Sequence, residues 1–270
     1  MKQIKLTEEK ETLLIPLYSK AAETKKDNPI IYDKKAVEII NRIEYDQAAL
    51  KIPTKTHITI CMRAKQFDNY VHGFLLREPK SIVLNLGCGL DSRFDRVDNG
   101  MVEWYDLDFP DVIQLRSSFY AETNRYHLIS SSVTDYNWVD QIGHKDLPII
   151  VLAEGLFMYL KEKEIKDLIQ KLRIAYPEFY LIFDCFSILT AKNINRHPSI
   201  KKTGAHIYWG IDKAKDIENW GKGIQLKEEW YFSQSEEIKK LNGGYRLIFK
   251  IAGLFPIANT AHRILVFELK

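Results

Sequence analysis

The chain is poor in cysteine, and its three cysteines form no pattern. Cys61, Cys88 and Cys185 are an odd count without CxxC spacing. That argues against a disulfide framework and for free thiols in a reducing cytosol. Histidine is also sparse: seven residues, with no HxxxH or HExxH spacing and no acidic cluster suited to a divalent cation. No metal is expected on that basis. Charge of one sign is lacking too. The 39 Lys and Arg nearly balance the 36 Asp and Glu, for a net charge of +3. The basic residues are interleaved with acids, so no footprint for nucleic acid is present. No long hydrophobic run occurs. The longest, Leu147 to Leu160, contains Pro148, Glu154 and Gly155 and falls short of a membrane span. The first ten residues are polar and hold no apolar signal core. A cytoplasmic protein with neither a nucleic-acid nor a membrane partner is expected.

What is present is an ordinary globular composition, 46% hydrophobic over 270 residues, enough for one large core. Residues 1–77 read as a helical cap. Leu13, Leu14, Leu17, Tyr18 and Ala21 recur at helical spacing, as do Ala36, Val37, Ile40 and Ile43, with Asp33 as a helix cap. A third helix is predicted over Ile58–Leu76, stopped by Pro79. From Ser81 the pattern alternates. Strands are predicted at Ile82–Leu86, Val102–Leu107, His127–Ser130, Ile149–Ala153 and Tyr180–Asp184. Helices are predicted at Asp111–Glu122 and Glu162–Ala175. Short buried strands alternating with helices indicate an α/β fold with a doubly wound, mostly parallel sheet. Residues 187–243 break the rhythm; polar and aromatic, they read as an inserted lid over the ligand site rather than part of the sheet. Two further strands, Tyr245–Ala252 and Ile264–Leu269, suit an antiparallel pair at the sheet's end. One domain results, with its core over 78–186 and 244–270.

The most informative stretch is Asn85-Leu-Gly-Cys-Gly-Leu-Asp-Ser-Arg93. An apolar strand runs into Gly87-Cys88-Gly89, where the missing Cβ atoms allow a sharp turn and a close backbone approach to a ligand. The dinucleotide fingerprint GxGxxG is incomplete, because Ser92 stands at the third glycine position. Nineteen residues past Gly89 comes Asp108, at the end of the next predicted strand. A carboxylate there reaches the two hydroxyls of a ribose in a doubly wound sheet. Asp106 shares its strand face, but Phe109-Pro110 ends the strand just after Asp108, which is therefore preferred. A third strand ends in Glu154-Gly155, where a carboxylate suits an α-ammonium group.

Four blocks, Arg63-Ala-Lys-Gln-Phe-Asp68, Asn85 to Arg93, Trp104-Tyr-Asp-Leu-Asp-Phe-Pro110 and Ala153-Glu-Gly-Leu-Phe-Met-Tyr-Leu160, resemble the leucine carboxyl methyltransferase family in order and spacing. The resemblance is stronger to its bacterial branch of polyketide carboxyl methyltransferases of tetracenomycin type. It runs from about Glu11 to Ser187. It implies a class I, Rossmann-like, seven-stranded methyltransferase that uses S-adenosyl-L-methionine. By resemblance, Arg63 binds the methionine carboxylate and Glu154 lies at the methionine end. Gly87, with the neighbouring backbone of Cys88 and Gly89, lines the methionine moiety. Asp108 takes the ribose hydroxyls. At the adenine position the family often carries an acid and an apolar residue; here Ser132-Val133 stand there, with Asp135 two residues on.

A sulfonium methyl is already activated, so the enzyme mainly aligns donor and acceptor. An ionised carboxylate acceptor needs no general base, whereas a phenol does. The matched blocks hold no strong base, which favours a carboxylate of a small molecule or polyketide-like acid. Tyr159 is the candidate acceptor-side residue, with Arg196, His197, Tyr18 and Tyr208 as further possibilities. His57 and His262 read as structural. Competing readings are a nucleotide-dependent oxidoreductase and a catalytically silent cofactor-binding protein. The acceptor's identity and the oligomeric state stay open.

Overall fold

The computed structural model describes residues 4–5, 11–44, 50, 52–195 and 206–270. Two short strands, β1 (Ile4–Lys5) and β2 (Ile43–Glu44), pair in parallel. Between them lie α1 (Glu11–Thr24) and α2 (Lys34–Arg42). The Asp33 side chain caps α2 by accepting from the Ala36 amide at 2.8 Å, which satisfies one of the free amides of the first turn. The long helix α3 (Thr54–Arg77) buries Cys61, Met62, Phe67, Val71 and Phe74 along one side. It ends just before Pro79, as predicted.

The main sheet follows: β3 (Ile82–Leu86), α4 (Arg93–Val97), β4 (Glu103–Asp108), α5 (Pro110–Arg116), β5 (Tyr126–Ser130), β6 (Ile149–Ala153), α6 (Glu162–Ala175), β7 (Phe179–Phe186), α7 (Ile188–Ile194), β8 (Ile224–Tyr231), α8 (Gly243–Leu254), α9 (Pro256–Thr260) and β9 (His262–Leu269). Its strand order is β5-β4-β3-β6-β7-β9-β8. β5, β4, β3, β6 and β7 pair in parallel, and β9 runs antiparallel to both β7 and β8. The two faces alternate along each strand with period two. Val83, Ile150, Leu152, Ile182 and Ile264 pack beneath α1 and α3. Ile82, Leu84, Val151, Leu181 and Leu265 pack beneath α6 through Ile165, Leu168 and Leu172. This is the predicted mostly parallel α/β sheet with a helical N-terminal cap.

The antiparallel pair is built differently from the expectation. The segment Tyr245–Ala252 is not a strand; it lies within α8. Asn242 accepts from the Tyr245 amide at 3.0 Å and caps that helix. The β-prone run Tyr-Arg-Leu-Ile-Phe-Lys-Ile gives no sign of this, because its apolar residues cover more than half of the helix's circumference and leave only Arg246 and Lys250 on the polar face. The true partner of β9 is β8, within the segment 187–243 that was expected to lie apart from the sheet. β8 is the sheet's edge and carries three consecutive charges, Lys227, Glu228 and Glu229, of which Lys227 and Glu228 are exposed. Charged edge strands discourage pairing with a second chain, and the same charges hid this one from a hydrophobic pattern. The helix expected over Asp111–Glu122 is shorter, ending at Arg116.

Candidate active site

The site lies at the carboxyl ends of the central parallel strands, where ligands bind in open α/β sheets. After β3 the chain turns through Gly87 (φ +64°) and Gly89 (φ +51°), both in the left-handed region. A Cβ on Gly87 would also meet the Leu156 side chain at 3.0 Å. The turn is tied to β4: the Cys88 amide donates to the Leu107 carbonyl at 3.1 Å. The Gly89 amide donates to Asp108 Oδ2 and the Phe109 amide to Asp108 Oδ1, each at 2.7 Å. Burial nonetheless pushes the Asp108 carboxyl above the usual range, against these amides.

Asp106 is fully occupied. It is wholly buried and accepts from Asn85 Nδ2 at 2.8 Å, Trp104 Nε1 at 2.9 Å, Tyr126 OH at 2.5 Å and the Arg116 guanidinium. Asp108 is half-buried at the strand end with its oxygens on two backbone amides, so the two carboxylates that share a strand face stand in different surroundings.

At the end of β6 the structure brings Arg63 and Glu154 together. Arg63 Nε donates to Glu154 Oε1 at 2.9 Å. The other Glu154 oxygen is held by Arg93. Arg63 Nη1 also donates at 2.9 Å to Asp184 Oδ2, on β7. Asp184 is 0% exposed and takes two more hydrogen bonds: 2.5 Å from the Gly155 amide and 2.7 Å from His262 Nε2. Burial opposes its ionisation, but Arg63, His262 and the Gly155 amide hold the Asp184 carboxyl far below the usual range. Burial likewise opposes the Arg63 charge, which Asp184 and Glu154 more than restore. Neither Asp184 nor His262 was predicted as a site residue, although Asp184, like Asp108, is an acid near a strand's end.

The ion pairs continue outward. Arg93 Nε meets Asp68 at 2.8 Å and Nη1 meets Asp91 at 2.9 Å. Arg96 reaches Asp68 at 2.7 Å and Asp33 at 2.6 Å. Lys20 on α1 pairs with Asp91. The conspicuous charges of the Asn85–Arg93 block thus lock the helical cap to the glycine turn.

Ser132 and Val133 follow β5, beside the Asp108 strand end; the Ser131 amide donates to the Asp108 carbonyl at 3.0 Å. Ser132 Oγ shares a hydrogen bond with Thr134 Oγ1 at 2.9 Å, and Val133 is buried. Asp135 is used as a cap instead, accepting from the Asn137 amide at 3.4 Å, with a side-chain bond from Asn137 Nδ2 at 2.8 Å. Tyr159 sits on the single 3-10 turn Phe157–Tyr159 with its side chain 40% exposed. Burial raises its pKa, with Arg63 lowering and Asp184 raising it, so its hydroxyl lies within their field. Tyr18 packs against the core and Tyr208 is exposed against His206. Arg196 and His197 lie outside the described residues.

His57 has a partner: its Nε2 is 2.7 Å from Glu23 Oε2, and Cys61 brings a third ligand-type atom within 4.8 Å. The Lys26 ammonium already lies 2.5 Å from the same carboxylate oxygen, and a cation there would have to displace it.

The family model for leucine carboxyl methyltransferases matches residues 14–173, more than half of the chain. The tetracenomycin polyketide synthesis O-methyltransferase TcmP of Streptomyces glaucescens is 33% identical over 97% of both chains. An S-adenosyl-L-methionine-dependent methyltransferase of Gibberella zeae is 26% identical over 85% of this chain and 84% of its own. Among solved structures, a DUF574 family protein from Streptomyces avermitilis superposes with a TM-score of 0.60 at 11% identity, covering 96% of this chain and 97% of its own. The plantazolicin methyltransferase, solved with S-adenosylhomocysteine, gives 0.51 at 11% identity, covering 97% and 98%. At such identities these two establish the fold.

The fold, the family match and these relatives together define a class I, S-adenosyl-L-methionine-dependent O-methyltransferase. Within that class the chain belongs to the leucine carboxyl methyltransferase family. The oxidoreductase reading of the glycine turn is not favoured.

Proposed function

We propose that this chain methylates a carboxylate of a small, polyketide-like acid. The observation that carries the reading is the Arg63–Glu154 pair, 2.9 Å apart at the end of β6, across the crevice from the half-buried Asp108. A zwitterionic amino-acid tail needs one cation and one anion, and a ribose diol needs an acceptor at a strand end. The residues therefore fit S-adenosyl-L-methionine. Arg63 receives the methionine carboxylate and Glu154 the ammonium. The backbone of Gly87, Cys88 and Gly89 lines the methionine chain. Asp108 accepts from the ribose hydroxyls, and Ser132 and Val133 border the adenine.

When bound, the cofactor supplies an electrophilic methyl on a sulfonium. The chain's task is alignment and exclusion of water. Tyr159, at the exposed end of the same turn, orients the acceptor. The full-length likeness to a polyketide O-methyltransferase supports a small acid as acceptor. Three buried free thiols, Cys61, Cys88 and Cys185, suit a reducing cytoplasm. Among the described residues no helix is long and apolar enough to cross a membrane.

Two measurements test this. Calorimetry with S-adenosylhomocysteine and with NADH is expected to show binding of the former alone. Labelled methyl from S-adenosyl-L-methionine is expected to appear as a base-labile ester in a screen of aromatic acids. Base-stable ether products alone would place the acceptor oxygen on a hydroxyl instead.

A further inference from the structure

His262 opens β9, paired in register with Phe186 at the end of β7. Both therefore stand at the carboxyl edge of the sheet, beside Arg63, Glu154 and Tyr159. The imidazole lies between two aromatic rings: its centroid is 4.6 Å from that of Phe186 and 4.8 Å from that of Phe232. Its side chain is 21% exposed, so the ring is gripped but not sealed. Nε2 meets Asp184 Oδ2 at 2.7 Å. An ionised carboxylate only accepts hydrogen bonds, so Nε2 carries a proton. Among the described residues, no hydrogen bond occupies Nδ1.

We infer that His262 is the anchor for the acceptor's carboxylate, oriented by Asp184 through Nε2 and presenting Nδ1–H to the acceptor. The inference rests on the carboxylate reading above and deepens it. In the imidazolium form, one N–H is held by Asp184 and the other is donated to one oxygen of the acceptor carboxylate. The second oxygen attacks the methyl carbon. The carbon–sulfur bond breaks, its electron pair stays on sulfur, and an ester and S-adenosylhomocysteine result. No proton is transferred, so His262 ends the step as it began. The flanking rings of Phe186 and Phe232 suit an acceptor whose acid is attached to an apolar ring system.

The charged groups facing His262 can be named element by element. Asp184 comes from β7 and, through that carboxylate, Arg63 from α3 and Glu154 from the end of β6. Arg263, next in the chain, turns away to Glu229 at 2.7 Å and to the Ile211 and Asp212 carbonyls.

Two variants separate anchoring from mere support of Asp184. His262→Gln keeps an amide nitrogen near the Nε2 position and loses Nδ1. His262→Asn keeps a donor near Nδ1 and loses the Asp184 contact. The probe is anthracene-9-carboxylate, titrated by calorimetry into protein saturated with S-adenosylhomocysteine, with the neutral carboxamide as control. The wild type is expected to prefer the acid to the amide. His262→Gln should lose roughly tenfold or more in acid affinity, as for a charged hydrogen-bond partner, and keep S-adenosylhomocysteine affinity within about twofold. His262→Asn should retain more acid affinity than His262→Gln. Unchanged acid affinity in His262→Gln, equal losses for acid and cofactor, or no acid binding by the cofactor-loaded wild type would overturn the inference. The methyltransferase reading fails separately, if the wild type does not bind S-adenosylhomocysteine.

Discussion

Asp106 and Asp108 stand two residues apart on β4 and have different tasks. The first is closed in by Arg116, Tyr126, Asn85 and Trp104; the second holds two backbone amides at the crevice. Asp108→Ala is expected to weaken S-adenosylhomocysteine binding by about 1–3 kcal/mol, the cost of losing a charged hydrogen-bond partner. Calorimetry on the folded variant checks this. Asp106→Ala should instead leave Arg116 as a buried, unpaired charge and lower the melting temperature steeply, an outcome read by thermal denaturation. The sequence put both acids on one strand face and ranked them by Pro110 alone. Their separation needed Arg116 and Tyr126, whose approach to Asp106 no local pattern announces.

At the scale of elements, the junction of α1 with α3 depends on one buried carboxylate. Glu23 accepts from the Ile30 amide at 2.9 Å, His57 Nε2 at 2.7 Å and Lys26 at 2.5 Å. Burial opposes its ionisation, but these partners prevail and hold its pKa down to about 2, from an ordinary 4.5. A depressed folded pKa means that the stabilisation is complete above the unfolded value and is lost as pH falls through the folded one. Glu23→Gln is therefore expected to cost about 1–3 kcal/mol at pH 7. The difference from wild type should shrink between pH 4.5 and 2, as urea denaturation at several pH values would show. Elements were legible where one face was plainly apolar: β3, β6 and α6 stand at their predicted bounds. β8 was not, because an edge strand is free to carry Lys227, Glu228 and Glu229. α8 was misread for the opposite reason, being apolar on both its buried and its exposed sides.

At the scale of the whole molecule, that second side of α8 and the adjoining α9 are exposed. Leu254 is 77% and Ile257 75% exposed, with Leu247, Ile248, Ile251 and Phe255 beside them. Contiguous apolar surface of this kind promotes association. The double variant Leu254→Lys, Ile257→Lys is expected to raise the onset temperature of aggregation in light scattering while leaving S-adenosylhomocysteine affinity unchanged. The candidate site was legible at this scale as strand-end acids in a fixed order, since a doubly wound sheet brings such ends together. The Asp184–His262 partnership was not, because its members lie 78 positions apart and meet only when β9 enters the sheet.

The strand order carries a consequence for folding on the ribosome. β9 is made after β7 and β8, yet it sits between them. Until it emerges, β8 has no neighbour to pair with, and β7 presents an open edge. Asp184 also waits for His262 during that interval. Nascent chains arrested before β9 should thus be held by chaperones with an incomplete sheet, and both outer strands should lock in one late event.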